Sequence, residues 1–284
     1  MRIGPCPDDL PGAARLRPEV WTTPDRTLVH VSGGWRALVE DGQRITVQGP
    51  PGDRALDPHS GVDGPTWLLD GWAVPYALLQ QGLLPLHATT VDVDGVTVAI
   101  GGPSGVGKST TALTLAARGH SLLTDDVAAV EVRPDGPWVL PFRRRIHLFA
   151  HTAAALGLEA SLRPMTGQER KGAVIPADPP TRPRRLAAVV GILLDDAATS
   201  VSVEPLHGHG ALAWLRESAG RTRSAPATLG AQRYFGLITA IADGASVWRL
   251  RRPAEGWTVA EVADAVEAVA AHPVSGRGRR RRRR

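Results

Sequence analysis

The run Gly102-Pro103-Ser104-Gly105-Val106-Gly107-Lys108-Ser109 combines residue types that together handle phosphate, and it satisfies G-x-x-x-x-G-K-S/T. Glycines let backbone N–H groups converge on phosphate oxygens. A lysine at the seventh position reaches the outer phosphates, and the hydroxyl after it can ligate Mg²⁺. The context agrees. Residues 93–100 read VDGVTVAI, a β-branched strand, and 109–118 read STTALTLAAR, a helix with Gly119 as its stop. A helix N-terminus behind the loop adds positive potential. The alternative, a glycine-rich strand-to-helix turn that binds nothing, does not explain the full match in that setting. Gly102, Ser104, Gly105, Val106, Gly107, Lys108, Ser109 and Thr110 are therefore the candidate phosphate-binding residues.

A phosphate cradle needs a metal ligand and a group that orients or deprotonates an acceptor before it can transfer anything. Asp125-Asp126 closes the short strand SLLT (121–124) that follows the helix. A strand beside the loop strand puts its C-terminal end near the phosphates. Two carboxylates there can divide the work, one on the metal and one as base, or can simply cap a solvated turn. His87, in LLPLHATTV, precedes a second β-prone run across Asp94-Gly95, a hairpin signal. That hairpin would fold His87 back beside the loop. A lone histidine in a Pro/Leu context is more often structural, so spacing alone leaves its role open.

The elements that must position these groups follow from patterning. Residues 1–24 are Pro-rich and read as irregular. Short β-prone runs fill 26–47, with Asp41-Gly42 as a turn, and 49–65 is a Pro/Gly/Asp loop. Residues 67–82 have helical spacing interrupted by Pro75. LAAVVGILL (186–194) is a continuous apolar run, as in a strand buried on both faces. Helices are expected at 207–218, 229–241 and 258–271. The last carries Val259, Val262, Val266 and Val269 as a stripe, with Thr258 and Glu261 as a capping box. The expected organisation is a β-rich lobe over 1–66, a core over 67–272 and an Arg-rich tail over 273–284.

Composition excludes several classes. Cys6 is the single cysteine among 284 residues, so neither a disulfide framework nor a cysteine metal cluster can form. No apolar run approaches membrane-span length, and residues 1–12 lack a signal-peptide core, so a cytoplasmic protein without membrane partners is expected. Arg277 and the arginines at 279–284 outweigh the whole net charge of +5, leaving the rest of the chain acidic. Such a block is a solvated tail or, less simply, a salt-dependent grip on nucleic acid. The tail lacks the interleaved aromatics that stack on bases. His207-Gly208-His209 lacks further ligands and reads as a loop entering a helix. The eight Trp are scattered and read as packing residues.

The series LLPLHATTV, GGPSGVGKST and RGHSLLTDD resembles the HPr kinase/phosphorylase C-terminal domain, and more closely the short HPr-kinase-like serine kinases of lasso peptide clusters. The resemblance is tight over residues 67–132 and looser to about 270. It implies an α/β fold with a mixed sheet like that of phosphoenolpyruvate carboxykinase, and ATP and Mg²⁺ as cofactors. It implies Ser109 and Asp126 as metal ligands, Asp125 as base, Lys108 on the phosphates, and His87 beside Asp125. It further implies a serine-bearing peptide or small protein as acceptor, with homo-oligomerisation open. The family's glutamate-containing stretch after the Asp-Asp strand has no acid here: the chain reads LPFRRRIHLF at 140–149. That argues against HPr as substrate and against a reverse phosphorylase reaction, and it offers Arg143 to Arg145 and Lys171 as phosphate contacts or as solvated charges. The competing readings are a small-molecule hydroxyl kinase and a non-catalytic nucleotide-binding regulatory module.

Overall fold

The computed structural model describes residues 1–50, 68–141, 146–158, 163–165, 168–174, 181–219 and 225–272. They form an α/β structure that divides into two units interleaved along the chain: 1–85 with 144–177 and 219–235, and 86–143 with 178–218 and 236–284. Residues 51–65 of the loop expected at 49–65, Arg143 to Arg145, the side chain of Lys171 and the 273–284 tail lie outside the described residues.

In the first unit a six-stranded sheet runs Arg2–Ile3, Arg44–Gln48, Trp35–Glu40, Arg26–Val31, Val20–Thr22, Ala14–Arg17. Three of these strands lie within residues 1–24, which composition had marked as irregular. Prolines there fall between the strands, where no ladder N–H is required. The Asp41-Gly42 turn joins two strands as the sequence predicts, with Glu40 paired to Arg44. Helix Val74–Gln80 packs against strand Trp35–Glu40 and follows a widened turn, Leu69–Ala73. Pro75 lacks an N–H and its ring crowds the preceding turn, while the Val74 N–H reaches back to Leu69 O. Polar side chains seal this interior: Thr22 Oγ1 lies 2.8 Å from Thr27 Oγ1 and 3.2 Å from Thr228 Oγ1, and Gln80 Nε2 donates to Thr27 Oγ1 at 3.2 Å.

The second unit holds β1 (Ala88–Val93), β2 (Val96–Gly101), α1 (Lys108–Ala117), β3 (Ser121–Thr124), β4 (Ala128–Arg133), β5 (Gly136–Val139), β6 (Arg184–Asp195), β7 (Ser202–Leu206), α2 (Gly208–Ser218), β8 (Ser246–Pro253) and α3 (Val259–Ala271). β6 is the axis of a mixed sheet. It pairs parallel with β2 and with β8, while β1, β3 and β7 extend the sheet antiparallel at its two sides. Residues Ala188 to Ile192 of β6 are all buried, the consequence of neighbours on both edges and cover on the faces. One cover is Trp214 of α2, whose indole lies where a side chain on Gly191 would stand.

Helix α1 buries Thr111, Ala112 and Leu115 and ends at Gly119, whose φ of 100° only glycine adopts readily. It packs on α3, which buries Val259, Val262, Ala263, Val266 and Val269. Each valine removed from water contributes about 1.5–3 kcal/mol. The capping box expected at Thr258 does not form. Thr258 sits at φ −107°, ψ 25°, and its Oγ1 is buried without a hydrogen-bond partner. The helix expected at 229–241 is two helices, Ala225–Leu229 and Ala231–Gly244, broken at Gly230 with φ 82°.

Candidate functional site

The chain leaves the buried strand β2 at Gly101 and turns at once. Gly102 has φ 137°, and a Cβ there would stand 2.5 Å from Ile192 O of β6. Only glycine lets the loop start against that strand. Val106, 2% exposed, anchors the far side of the loop, while Ser104 and Gly105 form its exposed crest. Gly107, at φ 106°, is the residue from which α1 begins. Lys108 opens the helix and Ser109 and Thr110 follow in its first turn.

Lys108 is 7% exposed. Its Nζ donates to Gly102 O at 2.9 Å and Pro103 O at 3.0 Å, and lies 3.2 Å from His87 Nε2. An ammonium has only donors, so Nε2 of His87 accepts and the ring proton belongs on Nδ1. That nitrogen faces Asp126, 3.0 Å from its carbonyl oxygen and 3.2 Å from Oδ1. His87 arrives here through the Asp94-Gly95 hairpin. Ala88 pairs with Gly101 across the β1–β2 ladder, which sets the preceding residue beside the loop.

The two aspartates differ in setting. Asp125 is 6% exposed and receives hydrogen bonds from hydroxyls on two other elements. Ser109 Oγ donates to its Oδ1 at 3.0 Å and its Oδ2 at 3.3 Å, and Thr89 Oγ1 of β1 donates to Oδ1. Asp126 has a side chain 32% exposed and a φ of 64°, a left-handed backbone that aspartate tolerates better than most residues. This twist aims both its carboxylate and its carbonyl at His87. Strained backbone of this kind concentrates where a side chain must be held in one orientation.

The structure thus brings His87, Lys108, Ser109, Asp125 and Asp126 together around the loop. It puts the Ser109 hydroxyl on Asp125 and His87 on Asp126, the opposite pairing to the one the family resemblance implies. Thr89 was not singled out from sequence, because a threonine inside ATTV reads as strand propensity. Its place comes from a register shift between Leu122 and Thr124: Thr90 pairs with Thr124, which sets Thr89 opposite Asp125. Among the described residues no group of three or more His, Cys, Asp or Glu gathers as a metal cluster, His207 and His209 included, and no helix is long and apolar enough to cross a membrane.

Residues 82–137, which carry every one of these side chains, match the family model of the HPr Serine kinase C-terminal domain. The chain is 40% identical over 95 residues to an HPr kinase/phosphorylase of Clostridium botulinum (strain Alaska E43 / Type E3), covering 28% of this chain and 31% of that protein. It is 53% identical over 65 residues to an HPr kinase/phosphorylase of Exiguobacterium sibiricum, covering 22% of this chain and 20% of the relative. The matches therefore span less than a third of the length of these curated relatives. Among solved structures, the Hpr(Ser) kinase/phosphatase from Coxiella burnetii aligns over 66% of this chain and 93% of its own, with 14% identity and a TM-score of 0.31.

Proposed function

We propose that this chain is a kinase that transfers the γ-phosphoryl group of ATP to a serine hydroxyl of a peptide or small protein. The observation that carries the reading is the convergence of two contact chains on the start of α1: Lys108–His87–Asp126 and Ser109–Asp125–Thr89. The similarity of residues 82–137 to HPr serine kinases supports it. The Arg-rich LPFRRRIHLF stretch, with no acid, favours an acceptor other than HPr, and the lasso-cluster resemblance suggests a ribosomally made precursor peptide.

Ser109 and Asp125 offer hard oxygen donors, and one carboxylate plus a hydroxyl is the donor set Mg²⁺ takes when phosphates complete its shell. In this reading they would hold Mg²⁺, whose charge would offset that of the phosphates. Asp125 is buried on Ser109, whereas Asp126 is accessible and held by His87. These contacts favour Asp126 as the base and Asp125 on the metal side, reversing the roles the resemblance implies. The serine oxygen bonds to the γ-phosphorus as the bond from that phosphorus to the bridging oxygen breaks. The hydroxyl proton passes to the Asp126 carboxylate, and the electron pair leaves with the nucleoside diphosphate. His87, donating from Nδ1, fixes the carboxylate, and Lys108 meets the phosphate charge.

Labelled ATP and a serine-bearing precursor peptide test the reading directly. Asp126→Asn should keep ATP affinity and lose transfer by about 10²- to 10⁴-fold. Asp125→Asn should instead lose the Mg²⁺ dependence of ATP binding. Transfer at the wild-type rate by Asp126→Asn would sink the assignment of the base. Turnover of small alcohols but no peptide would favour the small-molecule kinase, and binding without any transfer the regulatory module.

A further inference from the structure

Strand β8 ends in three arginines whose surroundings differ. Arg249 Nη2 lies 2.6 Å from Glu204 Oε1 of β7. Arg251 Nη1 lies 3.3 Å from Asp195 Oδ2 of β6, and its Nε is 3.7 Å from Glu204. Both are neutralised by acids on the neighbouring strands. Arg252, one position on, points to the other face of the sheet, as strand alternation requires. Its Nε donates to Pro253 O at 3.2 Å, and among the described residues no carboxylate pairs with it. Its Nη1 lies 3.4 Å from where a Cβ on Gly107 would stand.

Gly107 is the last residue of the phosphate-type loop and the residue from which α1 springs. A guanidinium is thus delivered to that loop from a strand two places away in the sheet, across β6, where Arg252 pairs with Leu194. The Pro253 tether restrains the planar group while leaving Nη atoms to serve another acceptor. An arginine used only for stability at this strand end would resemble Arg249 and Arg251 and meet an acid. A cation without an acid, beside backbone N–H groups at a helix start, matches an anion with several oxygens, and a planar fork engages such an anion through two bonds at once.

We propose that Arg252 is a phosphate-contacting residue of this site, binding oxygens of the triphosphate beside Gly107. This rests on the nucleotide-binding part of the proposed function and adds a residue far outside the 82–137 segment.

The intact chain can be titrated calorimetrically with ATP and, separately, with inorganic pyrophosphate. Arg252→Ala should weaken both by about tenfold to a hundredfold, the range of a charged hydrogen bond. Arg252→Lys should recover part of the loss, since it keeps charge but not the fork. Arg249→Ala, which removes a strand-pairing arginine, should bind both probes like wild type. Arg252→Gln keeps length without charge and serves if the alanine variant loses its thermal transition. A folded Arg252→Gln chain that binds both probes within twofold of wild type overturns the proposal and leaves the kinase reading intact. Arg252-dependent binding with no transfer to any serine peptide overturns the kinase reading and leaves Arg252 in place. A wild-type chain that binds neither probe overturns both.

Discussion

The six-stranded sheet of the first unit and the mixed sheet of the second bury polar groups for different ends. In the first, Thr22, Thr27, Thr228 and Gln80 are neutral and satisfy one another. In the second, a lysine and an aspartate are almost fully enclosed, at 7% and 6% exposure. Hiding a charge costs far more than hiding a hydroxyl that keeps its hydrogen bond. Neutral interior contacts fix a position cheaply and need no further explanation. Buried ionisable groups in a loop-and-strand cluster persist where the charge is used, which is why such groups mark sites.

The contrast can be broken at several points. Lys108→Ala should lower phosphoryl transfer by at least about 100-fold, the size of one lost electrostatic contact to a developing charge, and a turnover assay with ATP reads it. Near-normal turnover would make the lysine a structural residue like the threonines of the first sheet. Gly102→Ala should destabilise the second unit by about 3 kcal/mol, since strain at that φ adds to a collision with Ile192 O. Thermal unfolding measures that loss. Thr89→Val removes one donor from Asp125 while keeping shape, and should cost about 1–3 kcal/mol together with a shift in Mg²⁺ dependence. The same change at Thr22, Thr22→Val, should cost about 1 kcal/mol of stability and leave transfer unchanged. That pair of substitutions is the sharpest comparison of the two interiors.

The smallest effect concerns pH. Burial, and then the charge of Arg36, holds His30 below its ordinary value. The unfolded chain therefore takes up a proton more readily than the folded one. His30's contribution is complete above the unfolded value of about 6.5 and fades as pH falls below it. Urea midpoints of wild type and His30→Gln should converge in acid. Parallel curves would remove His30 from the account.

Much of the second unit is written locally. Asp94-Gly95, the glycine loop, the stop at Gly119 and the apolar run of β6 each announce themselves within a few residues. Other features depend on partners distant in sequence. Thr89 matters because a register shift between Leu122 and Thr124 brings Asp125 opposite it, and Arg252 because two parallel pairings through β6 carry it towards the loop. The Thr258 box matched in spacing but lacked the backbone angles that make a cap. The strands within 1–24 were hidden by prolines that lie between them. The split at Gly230 was hidden because one glycine inside a helical pattern is usually tolerated. The different surroundings of Asp125 and Asp126 are beyond any spacing rule, because adjacent acids look alike until a φ of 64° turns one of them away.

Lys108 already engages the carbonyl oxygens of Gly102 and Pro103 and Nε2 of His87. Any ligand reaching the loop therefore competes with them in an exchange reaction. A sugar hydroxyl or an amide offers little that a carbonyl does not. A polyanion offers full negative charge, which a carbonyl dipole does not. In the proposed phosphate site the lysine would therefore rate its visitors by ionic valence before their shape is consulted.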